Sequence, residues 1–350
     1  MSTRGSSAAS LLFAGAVLLG SAVGVSAIGT SDAEPEVSVY THRHYEVDQK
    51  IFDSFTDFSG IRVNIVSASA DELIQRLIAE GEQTKADLLI TVDAGRLHRA
   101  KAADLLQRVT NTTLETRIPE HLRDPEGFWF GLTKRARVMA TSVERVAEGS
   151  ILRYEDLTAP EWRGRVAVRS SSNIYNQSLV ASMVAAHGIE AAKSWASGLV
   201  ENLAREPKGN DRDQMKAIAA GVADVALVNT YYVGLMLTSD SVEERRVAEG
   251  VRIVFPNAGD RGTHVNVSGA GVTAFAPNRE NAIRLLEYMI SDESQAAYAA
   301  ANFEYPVVSG VPASKIVAAW GSFVEDMLPL TELGRLNSDA VRIMDEVGWK

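Results

Sequence analysis

Short apolar runs alternate along the chain with amphipathic stretches, and the two periods predict strands and helices in turn. "VSVY", residues 37–40, alternates as a strand does. After it, Val47, Ile51, Phe55 and Phe58 recur at helical spacing, and Gly60 stands where a helix C-cap favours glycine. "IRVNIV" predicts a second strand through Ile61, Val63 and Ile65. "DELIQRLIAEGE" returns to the helical period at Leu73, Ile74, Leu77 and Ile78. "ADLLITVD" is a continuous apolar run, as suits a parallel strand covered on both faces. This βαβαβ beginning implies an open α/β sheet. A second such unit follows: "RVAVRS" leads into the helical "YNQSLVASMVAAHG", and the buried-strand pattern "VADVALV" leads into "NTYYVGLML".

Two further segments, Lys134–Ser142 and Thr263–Ala276, have strand character in mid-chain. As crossovers they predict a two-lobed α/β protein with paired hinge strands and a ligand cleft between the lobes. "GAGVTA", Gly269–Ala274, has the spacing of the dinucleotide motif G-x-G-x-x-A. It opens no helix and follows no strand-to-helix turn, so it is not read as a nucleotide site.

Composition changes this picture in three places. The 350 residues, 46% hydrophobic and 23% charged, are enough for two cored domains. The absence of cysteine removes thiol catalysis, disulfides, zinc thiolates and iron–sulfur clusters together. Any metal must therefore be held by oxygen and imidazole. A net charge of -10, with no dense Lys/Arg run, argues against nucleic acid as a partner. At the N-terminus, Arg4 precedes an apolar run from Leu11 to Val25, and "VSA" ends at Ala27. The run is shorter than the roughly 20 residues of a membrane span and has the form of an export signal. The expectation is a signal peptide over 1–27, cleaved after Ala27, then a polar linker over 28–36.

The candidate chemistry lies in the tyrosines. Of nine, four stand at predicted strand-to-helix junctions: Tyr45 in "THRHYEVDQ", Tyr175 in "SSSNIYNQS", and Tyr231 with Tyr232 in "NTYY". In open α/β sheets ligands bind at the carboxyl ends of strands, so three junctions can converge on one cleft. An unperturbed phenol ionises near pH ~10. A helix N-terminus favours the phenolate, and a trivalent cation favours it far more. Phenolate is a hard oxygen donor, so ferric iron suits four phenols and a histidine, His44, better than copper(I), calcium or magnesium does. Taken singly, each tyrosine also fits a ring packed on the core with its hydroxyl in water, and His44 fits a surface or capping role. The shared position is what points to a site.

Taken together, "RHYEVDQ", "ADLLITVDAGRLHRA", "WFGLTKRARVM", "SSNIYNQSLVASM", "NLAREPKGNDRDQMKAIAAGVADVALVNTYY" and "HVNVSGAGV" resemble the iron-binding periplasmic proteins of ferric ABC importers, above all the Fut-type members that bind iron without a siderophore. The resemblance runs from about Val37 to the C-terminus. It implies a type II periplasmic-binding-protein fold, with lobe 1 at 37–136 and 265–302 and lobe 2 at 137–264 and 303–350. It implies a monomeric periplasmic carrier, not an enzyme, that delivers ferric iron (Fe3+) to a membrane permease and its ATPase. Carried over residue by residue, the metal ligands fall on His44, Tyr45, Tyr175, Tyr231 and Tyr232. His42, two residues before His44, would face the other way in an extended segment and ranks below it. Some relatives hold a carbonate-like anion through arginine, for which Arg135 and Arg137 are the candidates, on one face of a strand. The arginine that some relatives carry after the tyrosine pair is missing from "YYVGLM".

Two other readings stand beside this one. A binding protein of the same fold for an organic anion, phosphate or polyamine would use the tyrosines as aromatic walls. A secreted hydrolase is disfavoured, since the chain has no G-x-S-x-G elbow, no cysteine and no H-E-x-x-H motif. A redox enzyme fits poorly with a full phenolate shell, which leaves little room for a reacting substrate.

Overall fold

The computed structural model describes residues 34–43 and 45–350; the expected signal peptide, most of the linker and His44 lie outside the described residues. Among the described residues, nine strands form the sheet structure: β1 (Glu36–Thr41), β2 (Arg62–Ser67), β3 (Leu88–Val92), β4 (Phe130–Ser142), β5 (Val166–Ala167), β6 (Val225–Asn229), β7 (Val251–Val254), β8 (Val265–Val272) and β9 (Tyr305–Pro306). Their order is β2-β1-β3-β8-β4-β6-β5, with β7 and β9 also paired to β4.

The apolar runs occupy the covered positions. All five residues of β3 and all five of β6 are buried, as a strand flanked on both faces requires. β2 lies at the edge and is half-exposed, which explains its weaker apolar pattern. The first helix, Glu46–Ser59, buries Val47, Ile51, Phe52 and Phe55 and ends on Gly60 at φ 71°. That left-handed cap is easy for glycine alone, for want of a Cβ. Phe58, on the expected apolar stripe, is 77% exposed and stacks on Tyr288 instead.

The sheet is mixed. β1 runs parallel to β2 and β3, and β5 parallel to β6, whereas β8 enters antiparallel between β3 and β4. The glycines of "GAGV" serve that insertion. A Cβ on Gly269 would lie 2.6 Å from the Phe130 carbonyl oxygen, and one on Gly271 2.6 Å from that of Phe128. The motif is therefore a close strand contact inside β8.

β4 changes partners midway. It pairs with β8 up to Ala136, opposite Val265, and with β6 from Arg137, opposite Asn229. Beyond the strands, the helices Thr331–Arg335 and Asn337–Glu346 pack on the helix Ile174–His187, and the first of them also packs on Ala94–Ala102. The indole of Trp349 donates to the Arg169 carbonyl at 2.9 Å, tying the C-terminal segment to the loop that precedes Tyr175.

Candidate metal centre

Each tyrosine is placed by a helix start. Tyr45 is the extended residue before Glu46–Ser59, with φ -84° and ψ 143°, and its amide donates to Asp48 Oδ2 at 3.3 Å. Tyr175 is the second residue of Ile174–His187. Tyr231 and Tyr232 open Thr230–Leu237, directly after β6. The junction is immediate for the tyrosine pair; short connections separate Tyr45 from β1 and Tyr175 from β5.

These four side chains, 45 to 232 in the sequence, border one cavity of about 400 Å³. The Tyr231 hydroxyl donates to the Tyr175 hydroxyl at 3.3 Å, and the Tyr231 and Tyr232 rings lie 4.3 Å apart between centroids. Burial pushes the Tyr45, Tyr231 and Tyr232 phenols above their usual range. Neighbouring acids add to this: Glu304 at Tyr45, and the other phenols at Tyr231. A desolvated cluster of phenols resists ionising alone, because each phenolate would lie in low dielectric beside the next. A bound cation would reverse that balance. Among the described residues, no group of three or more His, Cys, Asp or Glu is arranged to hold a metal. The oxygen donors bordering this cavity are the four phenols and the amide oxygen of Asn173, which is buried without a partner among the described residues.

The electrostatic surround is cationic. Arg43 is buried under the Tyr45 ring, its guanidinium carbon 5.0 Å from the centroid. It donates to Asp48 at 3.1 Å, to Thr133 at 3.0 Å and to Glu304 at 3.3 Å. Burial opposes its charge, but Asp48 and Glu304 outweigh burial and keep it protonated. Arg96, Arg169 and Arg212 also reach the cavity wall.

The two arginines singled out in the sequence lie elsewhere. Arg135 and Arg137 share one face of β4, as the spacing predicts, and border a separate chamber of about 10 Å³ with Tyr175, Asn229, His264 and Asn266. That volume is about one water-sized probe. Arg135 faces the Tyr175 ring at 5.4 Å and donates to Ser268 at 3.3 Å, while its Nε and Nη2 have no partner among the described residues. Both terminal nitrogens of Arg137 are engaged, with Asp211, Asn229 and Asn176. His264 is held down to about 3 by burial and by Arg261, Arg137 and Arg135, so it is neutral at pH 7.

The sequence ranks His42 below His44 and does not single out Arg96, Arg169 or Arg212. The structure puts His42 on the cavity. Its backbone amide donates to Ile90 O at 3.0 Å, continuing the β1–β3 ladder one residue beyond the strand. Arg169 is the penultimate residue of "RVAVRS", just beyond β5, and Arg212 is the second residue of the helix Asp211–Ala219, the same kind of strand-end and helix-start positions as the tyrosines. Scanning those positions for charge as well as for phenols would have found them.

Comparison with known proteins adds the following. The family model for bacterial extracellular solute-binding protein matches residues 83–320. Iron uptake protein A1 of Synechocystis sp. is 48% identical over 321 residues, covering 92% of this chain and 89% of that protein. The major ferric iron-binding protein of Neisseria meningitidis serogroup B is 27% identical over 323 residues, covering 90% of this chain and 93% of that protein. Among solved structures, Trichodesmium FutA in complex with iron and citrate ligands matches with a TM-score of 0.88 and 47% identity, over 90% of this chain and all 100% of that one.

Proposed function

Because the chain belongs to the family of bacterial extracellular solute-binding proteins, we propose that it captures ferric iron in the periplasm through tyrosinates and delivers it to an ABC permease for import. The family is one of solute carriers rather than enzymes, and its ferric-binding members have the two-lobed fold. One observation carries the ligand assignment: four tyrosines from three junctions border one cavity, with Tyr175 and Tyr231 in hydroxyl contact at 3.3 Å. A hard trivalent cation is the cargo that compensates several adjacent phenolates. His44 is the fifth proposed ligand, and His42 is the alternative imidazole on the cavity wall.

The proposed lobes are 37–136 with 265–302 and 137–264 with 303–350. The partner exchange of β4 at Ala136/Arg137 supports a hinge there. In this division lobe 2 presents Tyr175, Tyr231 and Tyr232, and lobe 1 adds Tyr45 and His44 on closing. Asp93, a non-glycine residue at φ 103°, accepts hydrogen bonds from Ser178 at 2.8 Å and from Asn266 at 2.8 Å. Ser178 follows Tyr175 by three residues on the same helix. The Ser178–Asp93 bond thus joins the proposed lobes beside the ligand tyrosine. Ser178→Ala is expected to lower ferric affinity about tenfold, from loss of a charge-assisted bond of ~1.5 kcal/mol, while Tyr175 coordination persists. Unchanged iron retention against a competing chelator would remove the contact from the closure mechanism.

Iron binding expels phenolic protons, so affinity falls as pH falls. Burial raises the pKa values of Tyr45, Tyr231 and Tyr232, and each coordinating phenol that must lose its proton contributes about a tenfold loss of affinity per unit fall in pH. A titration of bound iron from pH 8 to pH 5 at constant chelator strength tests this; iron held equally at both ends contradicts tyrosinate coordination. The arginines on the cavity favour a second reading, in which the solute is a small organic anion. Calorimetry with citrate alone, and then with ferric citrate, separates them: heat with citrate alone and no visible band on adding iron supports the anion. A carbonate-like anion beside the metal, the other part of the iron reading, would meet Arg169 on the cavity wall, whose guanidinium lies 5.7 Å from the Tyr175 ring.

A further inference from the structure

Arg137 sits behind the tyrosines, and its contacts run to the backbone neighbourhoods of three of them. Its Nη1 donates to Asp211 Oδ2 at 2.8 Å and to Asn229 Oδ1 at 3.1 Å; its Nη2 donates to Asn176 Oδ1 at 2.8 Å. Asn176 is the residue after Tyr175, and Asn229 immediately precedes the helix that opens Thr230-Tyr231-Tyr232, its side chain making no capping bond to that helix. Asp211 reinforces both sides. Its Oδ2 also accepts the Asn229 amide at 2.8 Å, and its Oδ1 accepts Arg169 Nη1 at 3.5 Å, the arginine whose guanidinium lies over the Tyr175 ring. All four polar residues of this hub, Arg137, Asn176, Asp211 and Asn229, are buried.

We propose that Arg137, paired with Asp211, is a positioning residue that fixes the Tyr175 helix start against the Tyr231–Tyr232 helix start, and so presets three of the four phenols for one metal ion. The inference rests on the ferric-iron reading of the site. The guanidinium suits the task because its donors point in fixed directions in one plane, which a lysine ammonium cannot reproduce at three separated acceptors. Asp211 balances its charge and both terminal nitrogens are engaged, so Arg137 acts through geometry. Every partner lies between residues 137 and 264, on one side of the β4 partner exchange, so the hub holds whether or not the cleft is closed. Arg137 is also anchored from behind: the Tyr154 hydroxyl donates to its carbonyl and accepts the His264 amide at 3.2 Å, next to the start of β8. The phenol array is thereby registered to both strands that cross mid-chain. Metal ligands held by such outer contacts typically lose about 10–100-fold in affinity when the contact is removed.

The test is titration with ferric citrate against a competing chelator, read by the visible phenolate-to-iron band, for the unmodified protein, Asn176→Ala and Arg137→Lys, with the thermal midpoint and far-ultraviolet circular dichroism of each metal-free protein. Asn176→Ala cuts the hub's link to Tyr175 and leaves the Arg137–Asp211 pair in place. The expected result is a folded Asn176→Ala protein whose ferric affinity is about 10–100-fold lower and whose band is displaced in wavelength, since Tyr175 no longer meets the metal at its set angle. Arg137→Lys shows the same displacement if it folds; if it does not fold, Asn176→Ala decides. A folded Asn176→Ala with the unmodified band and affinity overturns the positioning role while leaving the iron site standing. No band in the unmodified protein overturns the iron reading, and this inference with it.

Discussion

Replacing Tyr231 and Tyr232 together by phenylalanine is expected to abolish the orange-red band that ferric citrate induces and to lower ferric affinity by more than about 100-fold, beyond the range seen for outer-contact losses. The substitution removes two hydroxyls and almost no volume, so the fold should be spared. Tyr231 is 3% exposed and packs in an apolar cluster with Phe303 and Val317, where phenylalanine is at home. The single variants separate the two roles. Tyr231→Phe also removes the 3.3 Å bond to Tyr175, so it should shift the remaining band as well as weaken it. Tyr232→Phe should weaken the band with less displacement. The decisive comparison is elemental iron after gel filtration: a doubly substituted protein that still carries one iron per chain places the metal elsewhere.

Arg43→Met is expected to destabilise the metal-free protein by about 3–5 kcal/mol, because it leaves buried Asp48 and Glu304 without their shared cation. For a chain of this size that corresponds to a drop of roughly 5–8 °C in the thermal midpoint. Burial already pushes the Asp48 carboxyl up against the pull of Arg43, and losing the arginine would push it further. The surface pair Arg62–Glu36, at 2.8 Å and well exposed on both sides, is the control; Arg62→Met should cost less than about 1 kcal/mol. If the two substitutions lower the midpoint equally, the Arg43 cluster is not the buried anchor its geometry indicates. The cluster lies directly beneath Tyr45, so Arg43→Met should also loosen the one phenol that the Arg137 hub does not reach.

Much of the fold was legible because secondary structure is written in local periodicity. The runs Leu88–Val92 and Val225–Asn229 read as covered strands and are fully buried strands. Gly60 read as a helix cap and adopts the left-handed conformation of one. The two mid-chain segments read as crossovers, and β4 and β8 do pair with each other. Strand order was not legible. A strand apolar on both faces looks the same whichever neighbours it has, so nothing local to Val265–Val272 shows that it enters antiparallel between β3 and β4.

The same division runs through the site. The sequence by itself determined which chemical groups were available: four phenols near predicted helix starts, no thiols, and an excess of acid over base. It also located Arg135 and Arg137 on one face of a strand, since side chains two apart on a strand share a face. Tertiary structure alone decided that Tyr175 and Tyr231, fifty-six positions apart, meet at 3.3 Å. It decided too that the terminal nitrogens of Arg137 are held by Asp211 and two asparagines. Asn176, Asp211 and Asn229 all stand at helix starts, where Asn and Asp are ordinarily explained by capping. That local explanation hides their burial around one guanidinium, because a contact between distant helix starts depends on how the strands between them are ordered, which no local pattern records.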